Sequence, residues 1–214
     1  MKKVLFIAAL SLALLAGCMG PPVREPMKPD LSAPVGKIDG NQFVGVRYPF
    51  KVSAPPGWQV TMKFPDFMLA QGYHKEGLEE SQVFVFNPAT QSNVQIELTP
   101  AGRYAKFDQH VIEQMVSGIS GEFASEVKEH HSTNTVLSPT EPVSLKGVQY
   151  AAGKYGAFTV ADIKREQGWI YGFTEPYQIF ILYIVQEKTG TGTIGKERED
   201  LKKILDSFEV FSKK

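Results

Sequence analysis

Of the side chains in this chain that could do covalent chemistry, one stands apart: Cys18 is the only thiol among 214 residues. A single cysteine cannot close an internal disulfide, so its role has to lie in reaction with another molecule. Three other places carry residue types and spacings suggestive of a site. Gly190-Thr191-Gly192-Thr193-Ile194-Gly195 fits G-x-G-x-x-G and, with Lys196, nearly fits a phosphate loop, which would set phosphate on backbone N–H groups at a helix N-terminus. However, Glu197 stands where a phosphate loop needs Ser or Thr for magnesium. A dinucleotide fold also needs a second parallel strand and an acid about 20 residues on, and Lys214 comes first. The stretch therefore reads as a flexible hairpin or helix-entry loop, and no nucleotide or other cofactor is expected. His130 and His131 lie near Glu126 and Glu129. Adjacent histidines point to opposite faces of a strand, or sit about 100° apart on a helix, whereas a metal needs ligands that converge. They read as a solvated helix terminus whose dipole favours them, and no metal is expected. His74 and His110 are isolated, and Ser117-Gly118-Ile119-Ser120-Gly121 reads as a packing margin, so no catalytic residue is assigned.

The surroundings of Cys18 are more specific. Lys2 and Lys3 form a positive start. Val4 to Leu15 is an apolar run broken only by Ser11, and it is too short for a span of about 20 residues. Leu15-Ala16-Gly17-Cys18 follows and resembles the lipobox of bacterial lipoproteins. The resemblance implies that residues 1–17 are a secretion signal. It implies that the Cys18 sulfur attacks a diacylglycerol donor to form a thioether, and that the small residues before it admit the signal peptidase. The competing reading is an ordinary signal with an incidental cysteine. Two or more acyl chains give a stable membrane anchor where one does not, each buried methylene contributing about 0.8 kcal/mol. In Gram-negative lipoproteins Asp after the cysteine favours inner-membrane retention. Met19 stands there, so the expected place is the outer membrane, facing the periplasm.

Charge excludes one class of partner. Lys plus Arg and Asp plus Glu both number 23, and loss of Lys2 and Lys3 leaves a slight acidic excess with no basic stripe, so nucleic acid is not expected.

The elements that would carry any site follow. Residues 18–40 hold Pro21, Pro22, Pro26, Pro29 and Pro34 and predict a semi-extended tether that keeps a single domain, 41–214, away from the bilayer. Alternation predicts strands at 44–53 and 58–62, joined through Ala54-Pro55-Pro56-Gly57 as a hairpin, and at 82–86 and 93–99. Phe107, Val111, Met115, Ile119 and Phe123 recur at spacing four, with Ile112 and Val116 beside them, predicting one helix with Asp108 as its N-cap, weakened by Gly118 and Gly121. Strands are expected at 133–138, 145–155, 158–164, 168–174 and 177–186. The last is apolar on both faces through Ile179–Val185 and should be central. A final helix is expected at 196–208. Strands come in runs, which predicts an α+β fold with a largely antiparallel sheet flanked by helices.

Tyr48-Pro49-Phe50 to Pro56-Gly57-Trp58, the strand around Gly168-Trp169-Ile170-Tyr171 and the closing Leu201-Lys202-Lys203-Ile204-Leu205-Asp206-Ser207-Phe208 resemble the PsbP/Mog1-like group over roughly 44–211. The resemblance implies an α/β/α sandwich and a non-enzymatic binding or assembly factor. Photosystem-type members use N-terminal charged and histidine residues in manganese- or calcium-related roles; no position here matches them, so none is carried over. The expectation is a membrane-anchored lipoprotein that binds or helps assemble another envelope protein. The alternatives are a carrier of a small apolar or amphipathic ligand held between sheet and helix, or a cryptic hydrolase; the late aromatics, Tyr150 to Tyr183, read as core packing or, on the functional reading, as an apolar groove or docking surface.

Overall fold

A computed structural model describes residues 22–71, 82–129 and 133–211. In chain order the strands are β1 (Gly36–Asp39), β2 (Gln42–Gly45), β3 (Phe50–Ser53), β4 (Gln59–Thr61), β5 (Val83–Phe86), β6 (Asn93–Pro100), β7 (Thr133–Leu137), β8 (Glu141–Pro142), β9 (Tyr150–Val160), β10 (Ile163–Thr174), β11 (Tyr177–Lys188) and β12 (Glu209–Val210). The helices are α1 (Phe67–Ala70), α2 (Gln109–Gly118), α3 (Ser120–Glu129) and α4 (Ile194–Ser207). An eight-stranded sheet runs β4-β5-β6-β11-β10-β9-β7 with β8 also paired to β9, and a four-stranded sheet runs β1-β2-β3-β12. The named strands pair antiparallel throughout, as the fold class predicts. No helix among the described residues is long and apolar enough to cross a membrane.

β11 lies between β6 and β10. Its period-2 alternation divides the molecule into two cores. Ile179, Ile181, Tyr183 and Val185 face a core built with Leu201, Ile204 and Phe208 from the α4 region and Phe43 and Phe50 from the small sheet. Phe180 and Leu182 face a second core with Ile112, Val116, Phe123 and Trp169. Full burial of such a side chain contributes about 1.5–3 kcal/mol, and the half-buried Phe180 and Leu182 contribute part of that, so both faces of the strand are held by packing.

Four expectations are corrected. The single strand at 44–53 is two strands, β2 and β3, paired as a hairpin with Phe43 opposite Val52. The chain reverses at residues 46–49, and Pro49, which has no N–H to donate, suits a turn better than a strand interior. The predicted hairpin across Ala54–Gly57 does not form, because β3 belongs to the small sheet and β4 pairs with β5 in the large one. The strand expected at 145–155 begins only at Tyr150 and runs on through Gly156 to Val160 as β9, so the strand expected at 158–164 is divided between the end of β9, the tight turn at 161–162 and the start of β10. The mid-chain helix breaks at Ile119 into α2 and α3. Asp108 caps α2 as expected, accepting from Val111 N at 2.9 Å. Within α2, Ile112 and Val116 are the buried residues of the expected apolar face, and Met115 is exposed.

Of the expected tether 18–40, residues 18–21 lie outside the described residues, and the remainder carries ordered structure before the expected domain start at Asn41. Gly36–Asp39 is the edge strand β1, paired to β2. Val35 and Met27 pack against the first core. The prolines suit this run because an extended strap needs few backbone donors; Val23 N and Arg24 N supply two, both to Arg103 O.

Candidate functional site

A cluster of buried polar side chains lies where α4 crosses the large sheet. The turn after β5 aims Asn87 and Thr90 at the helix, and Glu197 of α4 accepts from Asn87 Nδ2 at 3.1 Å and from Thr90 Oγ1 at 2.9 Å. One turn along, Asp200 accepts from Trp58 Nε1 at 3.3 Å and pairs with Lys196 at 3.2 Å and Lys203 at 2.7 Å. Glu166 on β10 pairs with Arg198 at 2.7 Å. Gln186 N donates to Ser92 Oγ at 3.1 Å, tying β11 to the same turn. Buried carboxylates need such donors, and each of these three has a donor bridging two elements, so the cluster fixes the helix on the sheet.

Burial pushes Asp200 up, but the hydrogen bonds and charges of Lys203 and Lys196 outweigh it and hold its carboxyl below the usual range. A depressed folded-state pKa stabilises fully above the ordinary carboxylate value and is lost as pH falls through the depressed one. Stability should therefore decline as pH drops below about 4, and Asp200→Asn should flatten that decline. Denaturant midpoints measured from pH 6 to pH 2 check this; an unchanged acid slope in the variant would contradict it.

Beside the cluster lies a cleft of about 480 Å³ lined by Thr90, Gln91, Asp162, Gln186, Glu187 and Thr193, among others. Its rim includes part of the glycine-rich loop. Gly190 and Gly192 have φ +90° and +69° and turn the chain into α4. The N-terminus of α4 already has an anion: Glu187 Oε2 accepts from Ile194 N at 3.0 Å, and Glu187 Oε1 pairs with Lys164 at 3.4 Å. The Ile194 N–H holds the Glu187 carboxyl below its usual value despite burial. A phosphate at this helix end would meet a carboxylate in its place. The cleft was not legible in the sequence, because its walls come from three separate stretches of chain, at 89–91, 162–163 and 186–193.

Several residues singled out in the sequence, Leu15, Ala16, Gly17, Cys18, His74, His130 and His131, lie outside the described residues. Glu126 and Glu129 fall in α3. His110 contacts Gln114 at 3.0 Å, and Ser117 contacts Thr140 at 2.9 Å. Among the described residues no group of three or more His, Cys, Asp or Glu is placed to hold a metal. Most of the late aromatics pack in the cores. Trp169, Phe158 and Phe173 are buried in the second core, with Tyr150, Tyr171 and Phe180 half-buried against it. Tyr183, in the first core, has its hydroxyl pushed far up by burial. Tyr155 remains partly exposed, near the β7 edge where Val136 is 64% exposed and Leu137 is also exposed.

The opposite end of the sheet holds a feature the sequence did not reveal. Arg24 is buried there. Its guanidinium binds Glu175 at 3.1 Å, Ala105 O at 2.7 Å and Gly102 O, and lies 5.3 Å from the Phe107 ring centre and 5.1 Å from that of Phe173. A charge so well supplied with acceptors and ring faces is a clamp for the strap that carries it.

These layers define an α+β domain with a PsbP-like fold. The solution structure of cyanobacterial PsbP (CyanoP) from Synechocystis sp. PCC 6803 matches with a TM-score of 0.51 at 12% identity, covering 84% of this chain and 100% of that one. A crystal structure from Bacteroides thetaiotaomicron VPI-5482 matches with a TM-score of 0.47 at 13% identity, covering 82% of this chain and 50% of that one. No family model matches the chain. No curated protein matches it either.

Proposed function

We propose that this chain is exported, acylated on Cys18 and held on the outer membrane facing the periplasm, where its domain binds or helps assemble another envelope protein without catalysis. The observation that carries the reading is Leu15-Ala16-Gly17-Cys18 placed directly after a charged start and a short apolar run. The PsbP-like fold supports a binding role. So does the use of Glu166, Glu187, Glu197 and Asp200 to hold α4 and its loop in place. The exposed apolar residues of the edge strand β7 offer a protein partner a place to pair. A carrier would need room between sheet and helices, and Trp169, Phe123 and Phe158 occupy that space.

Cys18→Ser tests the anchor. The variant is expected to lack acyl mass and to leave the membrane pellet for the soluble fraction. Should it keep its acyl chains and sediment unchanged, the reading fails. Affinity capture from the native envelope tests the partner. A protein retained by the wild type is expected to be lost with Val136→Lys, and the absence of any reproducible partner would count against the binding role.

A further inference from the structure

We propose that the end of the domain bearing Arg103, Tyr104 and Lys106 rests on the headgroup layer of the bilayer that carries the acyl chains. The inference deepens the anchoring reading and rests on acylation of Cys18. Its own ground is the clamp: Arg24 is fixed against Gly102, Ala105 and Glu175, so the run from Cys18 to that fixed point is six residues. Six residues span at most about 20 Å when fully extended. A tether running to Gly40 would have let the domain tumble clear of the membrane; this one brings a single end of the sheet down to it.

What that end presents suits a lipid surface. Arg103 and Lys106 are exposed, and Tyr104 is 45% exposed with the Arg103 guanidinium 5.2 Å from its ring centre. Arg103 O accepts from both Val23 N and Arg24 N, so this tip is bonded directly to the strap. Glu175 is already paired with Arg24 and Asp108 caps α2, and Glu25, next to Arg24 on the strap, is a further exposed acid. Basic residues favour anionic headgroups, and tyrosine favours the interface between water and hydrocarbon. The other end of the sheet, at the β9–β10 turn with Asp162, stands about 40 Å away, the length of the 12-residue strand β10.

The test uses the acylated full chain in vesicles of mixed neutral and anionic phospholipid containing a headgroup-linked quencher. Once Cys18 is a thioether, Tyr104→Cys and Asp162→Cys each carry a single free thiol for a fluorophore. Strong quenching at position 104 and little at 162 is the expected result. Arg24→Gln, which loosens the clamp, should reduce the quenching at 104. Equal quenching at both positions in an acylated protein would overturn the proposed orientation and leave the anchoring reading standing. An intact mass without acyl chains, with two labels bound, would overturn both.

Discussion

Replacing Trp169 by alanine is expected to cost about 3–5 kcal/mol, the range for removing a large aromatic from a packed core. Trp169 is buried on β10 in the middle of the second core, its ring 5.2 Å from that of Phe123 on α3. Its Nε1 donates to Val116 O at 2.9 Å. Val116 lies in the last turn of α2, where carbonyls run out of partners within the helix. The indole therefore fills space and closes a helix end together. Trp169→Phe should cost less, about 1–2 kcal/mol, because it keeps most of the apolar contact and leaves the carbonyl unpaired. Urea unfolding of both variants measures the difference. If the alanine variant loses under about 1 kcal/mol, the second core is not held as described.

Gly147→Ala is the second change with a large expected effect. Gly147 has φ +76°, a left-handed backbone that costs an alanine about 1–2 kcal/mol. A Cβ there would stand 1.9 Å from Val210 O and 2.9 Å from Val210 C, backbone atoms that cannot rotate aside. Val210 N donates to Lys146 O at 2.9 Å, and Glu209 pairs with Lys146 at 2.8 Å and Lys51 at 2.9 Å, so the glycine lies under the closing strand β12. Overpacking adds about 1–3 kcal/mol to the backbone term. The total loss should reach several kcal/mol, with faster hydrogen exchange at the Val210 amide. Gly57→Ala is the control: φ is +86° and nothing lies within 4 Å of its Cβ position, so only the backbone cost remains. Equal losses in the two variants would show that the contact with Val210 does not matter.

Features of the fold governed by neighbouring residues were legible in the sequence. The two apolar faces of Ile179–Val185 identified the central strand, Asp108 marked a helix start, and Leu201, Ile204 and Phe208 marked the buried side of the last helix. Features governed by distant partners were not. Arg24 in a proline-rich run looks like part of a solvated tether, because its partners at Gly102, Ala105 and Glu175 lie 78 to 151 residues away. The break at Ile119 had a local hint in Gly118 and Gly121, but the group that takes a carbonyl beside it, Trp169, lies 53 residues from Val116. Glu197 shows the same limit: its presence argued against a phosphate loop, yet its burial against Asn87 depends on a contact 110 residues apart.

The order in which strands meet has a consequence for how the chain is made. β6 ends at Pro100 but finds its second neighbour only when β11 begins at Tyr177, and β3 receives β12 at Glu209. Such non-local closure slows folding, because long loops must be gathered before the contacts that reward them exist. The second core cannot be sealed until β11 has emerged, nor the first until α4 and β12 have. On the export proposed above, this delay would keep the upstream chain from setting hard while the remainder is still in transit.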